Sequence, residues 1–200
     1  MIAVIDYEAG NLKSVETALK YLGAEFRITD EPGEVLKADK VIFPGVGEAR
    51  SAMNNLEKRG LGTALKSFVS TGKYLLGICL GSHIILDSSE ENSTKCLGII
   101  PGKARKFPDN ISIKIPQIGW NTVKYNEHIL FKGIPQERSF YFVHSYYLEP
   151  ASDEYVIGMS EYGIDFCSVI GYENIMATQF HPEKSGKWGL KMLSNFIELE

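Results

Sequence analysis

Apolar residues follow one another along this chain in two rhythms, and the change between them falls near residue 86. In the first part, unbroken apolar runs at residues 2–5, 41–43 and 74–78, and a mixed strand pattern at 25–28, alternate with stretches of helical spacing. Leu12, Val15, Leu19 and Leu22 mark the first of those stretches, with Asn11 placed to cap it and Gly23 to end it. Helical patterns recur over 49–56 and 61–69, while Asp30-Glu-Pro-Gly33 reads as a turn. Strands that are apolar throughout, alternating with helices, predict a parallel sheet covered on both faces. Beyond residue 86 the chain is first polar and loop-like, over 87–95. Short strand patterns then appear at 111–115, 121–125, 139–144, 155–159, 166–170 and 175–179, separated by turns rich in Gly, Pro, Asn and Asp. A last helix over about 188–199 places Leu190, Leu193, Phe196 and Ile197 on one face. The expected fold is therefore α/β: an open, mostly parallel sheet flanked by helices, with an antiparallel extension in the C-terminal half. With no internal repeat or linker, residues 1–200 are expected to form a single domain.

Composition narrows the function more than the fold. An apolar fraction of 44% and a charged fraction of 23% are ordinary for a globular chain. A net charge of −4 without a basic block argues against a nucleic-acid partner. No run approaches the roughly 20 apolar residues of a membrane span, and the N-terminus lacks a signal peptide's basic start. Cys79, Cys96 and Cys167 are odd in number and none has C-x-x-C spacing, so neither a disulfide framework nor a metal site is expected. The expected location is the cytoplasm, and no cofactor is expected.

Candidate chemistry centres on Gly77-Ile-Cys79-Leu-Gly81. A cysteine with glycines two residues away on either side, between an apolar strand and a helix, is the thiol form of the nucleophile elbow. The glycines would allow strand and helix a close approach that a Cβ would obstruct. On this window alone a buried core cysteine is an equal alternative. The tie is broken at the end of the strand pattern 175–179, where His181 is followed by Pro182 and Glu183. Pro182 favours extended backbone at His181, and residues two apart then share a side, so Glu183 would reach the imidazole. Cys79, His181 and Glu183 thus supply nucleophile, base and orienting group. Pro44-Gly-Val-Gly47 ends another predicted parallel strand, where open α/β sheets place their sites. Backbone N–H groups of Gly45, Val46 and Gly47, with that of Leu80, are candidates for an oxyanion hole.

Taken together, Gly-Ile-Cys79-Leu-Gly, Pro-Gly-Val-Gly47 and Gln-Phe-His181-Pro-Glu-Lys-Ser185 resemble the class I (triad) glutamine amidotransferases, with their flavodoxin-like sheet. Asp6-Tyr…Gly10-Asn-Leu-Lys-Ser-Val15, Leu97-Gly-Ile-Ile-Pro-Gly102, Ile118-Gly-Trp-Asn121 and Phe140-Tyr-Phe-Val-His-Ser-Tyr146 resemble the glutaminase subunits of imidazole glycerol phosphate synthases. The resemblance implies a glutaminase whose ammonia passes to a (β/α)₈-barrel cyclase partner in a heterodimer of histidine biosynthesis. It further implies that Glu91 holds the α-amino group of glutamine, that the Ser145 and Tyr146 backbone holds its α-carboxylate, and that Asn11, Trp120, Tyr141 and Lys184 face the partner. From pattern alone, Trp120 and Tyr141 read instead as sheet core. Two positions depart from the family. Ser82-His83 stands where Met-Gln is usual after the elbow, giving His83 a place in the glutamine site, and Pro116-Gln117 stands where Pro-His is usual. These departures leave a second possibility, a paralogous glutaminase feeding another synthase, such as one for amino or amidino sugars. A catalytically silent binding module is a third.

Overall fold

A computed structural model describes residues 1–8, 12–110 and 113–200. The N-terminal half runs β1 (Ile2–Ile5), α1 (Leu12–Tyr21), β2 (Phe26–Thr29), α2 (Pro32–Lys37), β3 (Lys40–Gly45), α3 (Ala49–Lys58), α4 (Leu61–Val69), β4 (Tyr74–Cys79) and α5 (Leu80–Ile84). It continues through β5 (Ser88–Ser89), β6 (Thr94–Lys95), β7 (Gly102–Lys106), β8 (Gln117–Tyr125), β9 (Arg138–His144), β10 (Tyr146–Pro150), β11 (Val156–Glu161), β12 (Asp165–Tyr172), β13 (Ile175–Thr178) and α6 (Gly186–Ile197). Among the described residues these strands form one sheet, in the order β2-β1-β3-β4-β13-β12-β10-β7-β5-β6, with β11, β8 and β9 branching from β12. Strands β2, β1, β3, β4 and β13 are parallel neighbours, and β12 turns the sheet antiparallel. The described residues include no helix long and apolar enough to cross a membrane.

The unbroken apolar strands have a direct cause. Ala3 and Ile5 of β1, with Val41 and Phe43 of β3, point into one core; Ile2, Val4 and Ile42 point into the other. Both faces are buried, so no position in these strands is left for a polar residue. Helices α2 to α5 cover the first face through Val35, Leu56, Leu65 and Ile84, and α1 and α6 cover the second through Leu19, Leu193 and Phe196.

Three expectations are corrected. The segment read as a turn at 30–33 opens helix α2, because Pro32 occupies the first helical position, where its missing N–H costs nothing. The strand expected at 111–115 is absent over 113–115, and Ile111 and Ser112 lie outside the described residues, as does Asn11. Trp120 is not core. In β8 the buried positions Gln117 and Val123 leave Ile118 and Trp120 on the outward face, 60% and 59% exposed.

Candidate active site

Strand register brings the distant motifs together. Gly45 pairs with Cys79 across β3 and β4, and Thr178 pairs with Ile78 across β13 and β4. The strand ends carrying 45–47, 79–81 and 181–183 therefore open side by side. Cys79 occupies the turn itself, with φ 53° and ψ −110°, a conformation that costs a non-glycine residue ~1–3 kcal/mol. The packing around it explains the glycines. A Cβ at Gly81 would stand 1.9 Å from the Phe43 carbonyl oxygen, and one at Gly77 would stand 3.1 Å from Ala177 Cβ. A Cβ at Gly45 would meet the buried Tyr7 hydroxyl, which has no hydrogen-bond partner among the described residues.

His181 Nδ1 donates to Glu183 Oε1 at 2.7 Å, and both side chains are buried. The pair is made differently from the sequence expectation. His181 is extended, but Pro182–Lys184 form a 3-10 turn, so Glu183 curls back to the imidazole and does not extend along a strand. Ser185, not anticipated from the sequence, holds this turn: its hydroxyl donates to the His181 carbonyl and accepts the Tyr141 N–H. The His181 N–H in turn donates to the Tyr141 carbonyl. Cys79 Sγ lies 3.9 Å from the Val143 carbonyl oxygen.

Cys79 opens into a cleft of about 340 Å³, within the usual size range for small-ligand sites. Val46, Gly47, Leu80, His83, Glu91, Ser145 and Tyr146 line it with Cys79. Of the residues singled out from sequence for this site, Gly45, His181 and Glu183 contribute no lining: Gly45 packs beneath the elbow, and the His181 and Glu183 side chains are buried. Pro116, Val143 and His144 also line the cleft and were not expected. Trp120, Tyr141 and Lys184 lie outside it. The Trp120 and Tyr141 rings meet edge-on at 6.2 Å.

The glutamine amidotransferase class-I family model matches residues 3–199. The chain belongs to that family. This amidotransferase is 48% identical to the imidazole glycerol phosphate synthase subunit HisH of Dehalococcoides mccartyi strain CBDB1, over all of this chain and 97% of that one. It is 49% identical to the protein of the same name from Maridesulfovibrio salexigens, over 99% and 96% of the two chains. Among solved structures it resembles a glutamine amidotransferase with a TM-score of 0.78 at 16% identity, covering 99% of this chain and 98% of that one. PurLQS from Thermotoga maritima gives a TM-score of 0.74 at 16% identity, covering 98% and 96%. At such identities these structures establish the fold, and they establish it across the whole sheet.

Three histidines of the amidotransferase sit close together and are driven apart electrostatically. Burial pulls His144 down to about 3, aided by the nearby His83 and His181, so it is neutral at working pH. Its Nδ1 faces the Tyr146 carbonyl at 2.8 Å and must donate there. Its Nε2 is then an acceptor; Gln117 Oε1 lies 2.8 Å from it, so the Gln117 amide must be turned to present its NH2 group there. Gln117 and His144 thus satisfy one another inside the sheet. Burial also lowers His83 to about 4, and its Nε2 is tied to the Gln179 side-chain amide at 2.7 Å.

His181 moves the other way. Burial alone would lower it, but the Cys79 sulfur and the Glu183 carboxylate outweigh burial and raise it to about 9. A base raised in the folded state stabilises the fold fully below its unfolded value, near 6.5, and that contribution fades as pH rises through about 9. The stability advantage of wild type over His181→Gln, measured by denaturant titration, should therefore be largest near pH 6, by up to ~3 kcal/mol. It should shrink steadily by pH 9.5. An advantage independent of pH would mean that His181 stabilises the turn by packing alone.

Proposed function

We propose that this chain is the glutaminase subunit of an imidazole glycerol phosphate synthase, with Cys79, His181 and Glu183 as its catalytic triad. What carries the reading is the near-50% identity to the HisH proteins along essentially the whole chain. The geometry supplies a mechanism. Cys79 gives its proton to His181 Nε2, and its sulfur attacks the side-chain carboxamide of glutamine. The C–N bond breaks as the imidazolium protonates the departing ammonia, leaving a γ-glutamyl thioester. Water, deprotonated by His181, then cleaves the thioester, releasing glutamate and restoring the thiol. Glu183 keeps the imidazole in register throughout.

Backbone N–H groups of Val46, Gly47 and Leu80 bear on the oxyanion, with Gly45 setting their approach. Glu91 would hold the α-ammonium, the Ser145 and Tyr146 backbone the α-carboxylate, and His83 the cleft wall. Glu91 is half-buried, and burial, with the Glu48 charge, holds its carboxyl above the usual range despite a bond from the Ala49 N–H. A bound ammonium would relieve that cost. The partner is read as a (β/α)₈-barrel cyclase, which receives the ammonia in a cytoplasmic heterodimer. Ile118 and Trp120, exposed on the outward face of β8, offer it an apolar surface next to Tyr141, and Lys184 is read as facing it too. Residues 1–200 are read as one amidotransferase domain.

The deciding experiment is co-purification with the cyclase encoded by the same genome, followed by assay with glutamine and the phosphoribulosyl aminoimidazole carboxamide nucleotide. Equimolar glutamate and imidazole glycerol phosphate support the proposal. Glutamate formed with no cyclised product would point to a different synthase.

A further inference from the structure

Helix α3 begins immediately after the loop that lines the cleft, and its first N–H groups have no partners within the helix. Glu48 accepts two of them, from Arg50 and Ser51, each at 2.8 Å. The next is taken from a distance of 42 residues: the Ala49 N–H donates to Glu91 Oε2 at 2.7 Å. Two further contacts join the same segments. Asn92 Nδ2 donates to Glu48 Oε1 at 2.8 Å, and the Arg50 guanidinium donates to the Asn92 carbonyl. Asn92 itself has φ 53° and ψ 26°, a left-handed conformation that asparagine tolerates better than most residues. Residues 48–50 and 91–92 are therefore clasped by three hydrogen bonds. Val46 and Gly47, which line the cleft together with Glu91, lie immediately before the clasp.

We propose that Glu48 and Asn92 are positioning residues for glutamine hydrolysis: they bind the turn carrying Glu91 to the start of α3, so that filling the α-ammonium subsite sets the Val46–Gly47 backbone for catalysis. This rests on the glutaminase reading above. One oxygen of Glu91 is given to the Ala49 N–H, and the other has no partner among the described residues, while the side chain lines the cleft. An ammonium at that second oxygen pairs with the carboxylate and fixes it in place, and with it the bond to the Ala49 N–H. Ala49 is two residues from Gly47, so the effect reaches the oxyanion loop through a short, capped piece of backbone. Recognition of the amino-acid end of glutamine is thereby linked to turnover at its amide end.

The clean variant is Asn92→Gly, which keeps the left-handed backbone and removes only the side chain that holds Glu48. In the complex with the synthase partner, glutamate release should fall in kcat by ~10-fold, because small displacements of a reacting geometry are costly. Glutamine affinity, measured by calorimetry on Cys79→Ala with and without Asn92→Gly, should change by no more than ~2-fold. The second arm uses 4-carbamoylbutanoate, which is glutamine without its α-amino group. Its kcat should be low in wild type and unchanged by Asn92→Gly, since the link has nothing to transmit. Three results overturn the proposal: equal losses for both substrates, a loss confined to affinity, or no loss at all. A wild-type complex that releases no glutamate would instead defeat the glutaminase reading.

Discussion

Cys79→Ala should abolish glutamate release from glutamine, and with it all glutamine-dependent synthesis, while synthesis from ammonium salts proceeds at the wild-type rate. Removing a nucleophile that forms a covalent intermediate costs on the order of 10⁴–10⁶ in turnover, because the partner groups cannot replace the missing bond. On the proposed reading the synthase partner needs only ammonia, so free ammonium at high concentration bypasses the lesion. The substitution is mild for the fold. Cys79 is 7% exposed, its sulfur meets one carbonyl oxygen at 3.9 Å, and alanine leaves the strained backbone as it is. The assay follows glutamate and cyclised product separately, with glutamine or ammonium chloride as nitrogen source. Loss of synthesis from both sources would show that Cys79 supports the structure of the complex and not its chemistry.

The second large effect is on folding. Gly81→Ala should destabilise the protein by more than ~3 kcal/mol, because an added methyl with no room forces the backbone to move. Its Cβ would lie 1.9 Å from the Phe43 carbonyl oxygen and 3.0 Å from the carbonyl carbon. Neither side can give way easily. Phe43 is fully buried in β3, whose ladder to β4 is continuous from Lys40 to Gly45, and Gly81 lies in the first turn of α5. At ~2–4 °C per kcal/mol for a chain of this length, the melting temperature should drop by roughly 10 °C. Gly33→Ala is the control. Nothing lies within 4 Å of its Cβ position, and the residue sits in α2, so its melting temperature should stay level or rise slightly. If the two variants melted alike, the elbow's glycines would not be there for the close approach.

Much of the parallel half was legible because its signals are local. Strands β1, β3 and β4 are buried on both faces and read as unbroken apolar runs, and α4 begins and ends where its periodicity does. Helix α2 was not legible, since Pro32-Gly33 marks a turn as well as a helix start, and the helix buries only Val35. Strands β7 and β10 were missed for another reason. In Gly102–Lys106 only Ala104 is buried, and the strand is held by five register pairs to Tyr146–Pro150, 40 to 48 residues away. Lys103 and Arg105 face Glu149 in ion pairs that no local pattern announces.

The elbow, Gly77-Ile-Cys79-Leu-Gly81, and the run His181-Pro-Glu183 were visible from the chain alone. In each, the necessary residues lie within five positions, so spacing already constrains what the side chains can reach. Only the tertiary structure decided what surrounds them. It set His144 against Gln117, His83 against Gln179, and Asn92 against Glu48, pairings between residues 27 to 96 positions apart. It also turned Trp120 outward, because the register of β8 gave the inward positions to Gln117 and Val123. Periodicity along a strand says that alternate residues share a face. Which face meets a core, and which loop meets which helix, depends on contacts between segments that the order of residues does not bring near.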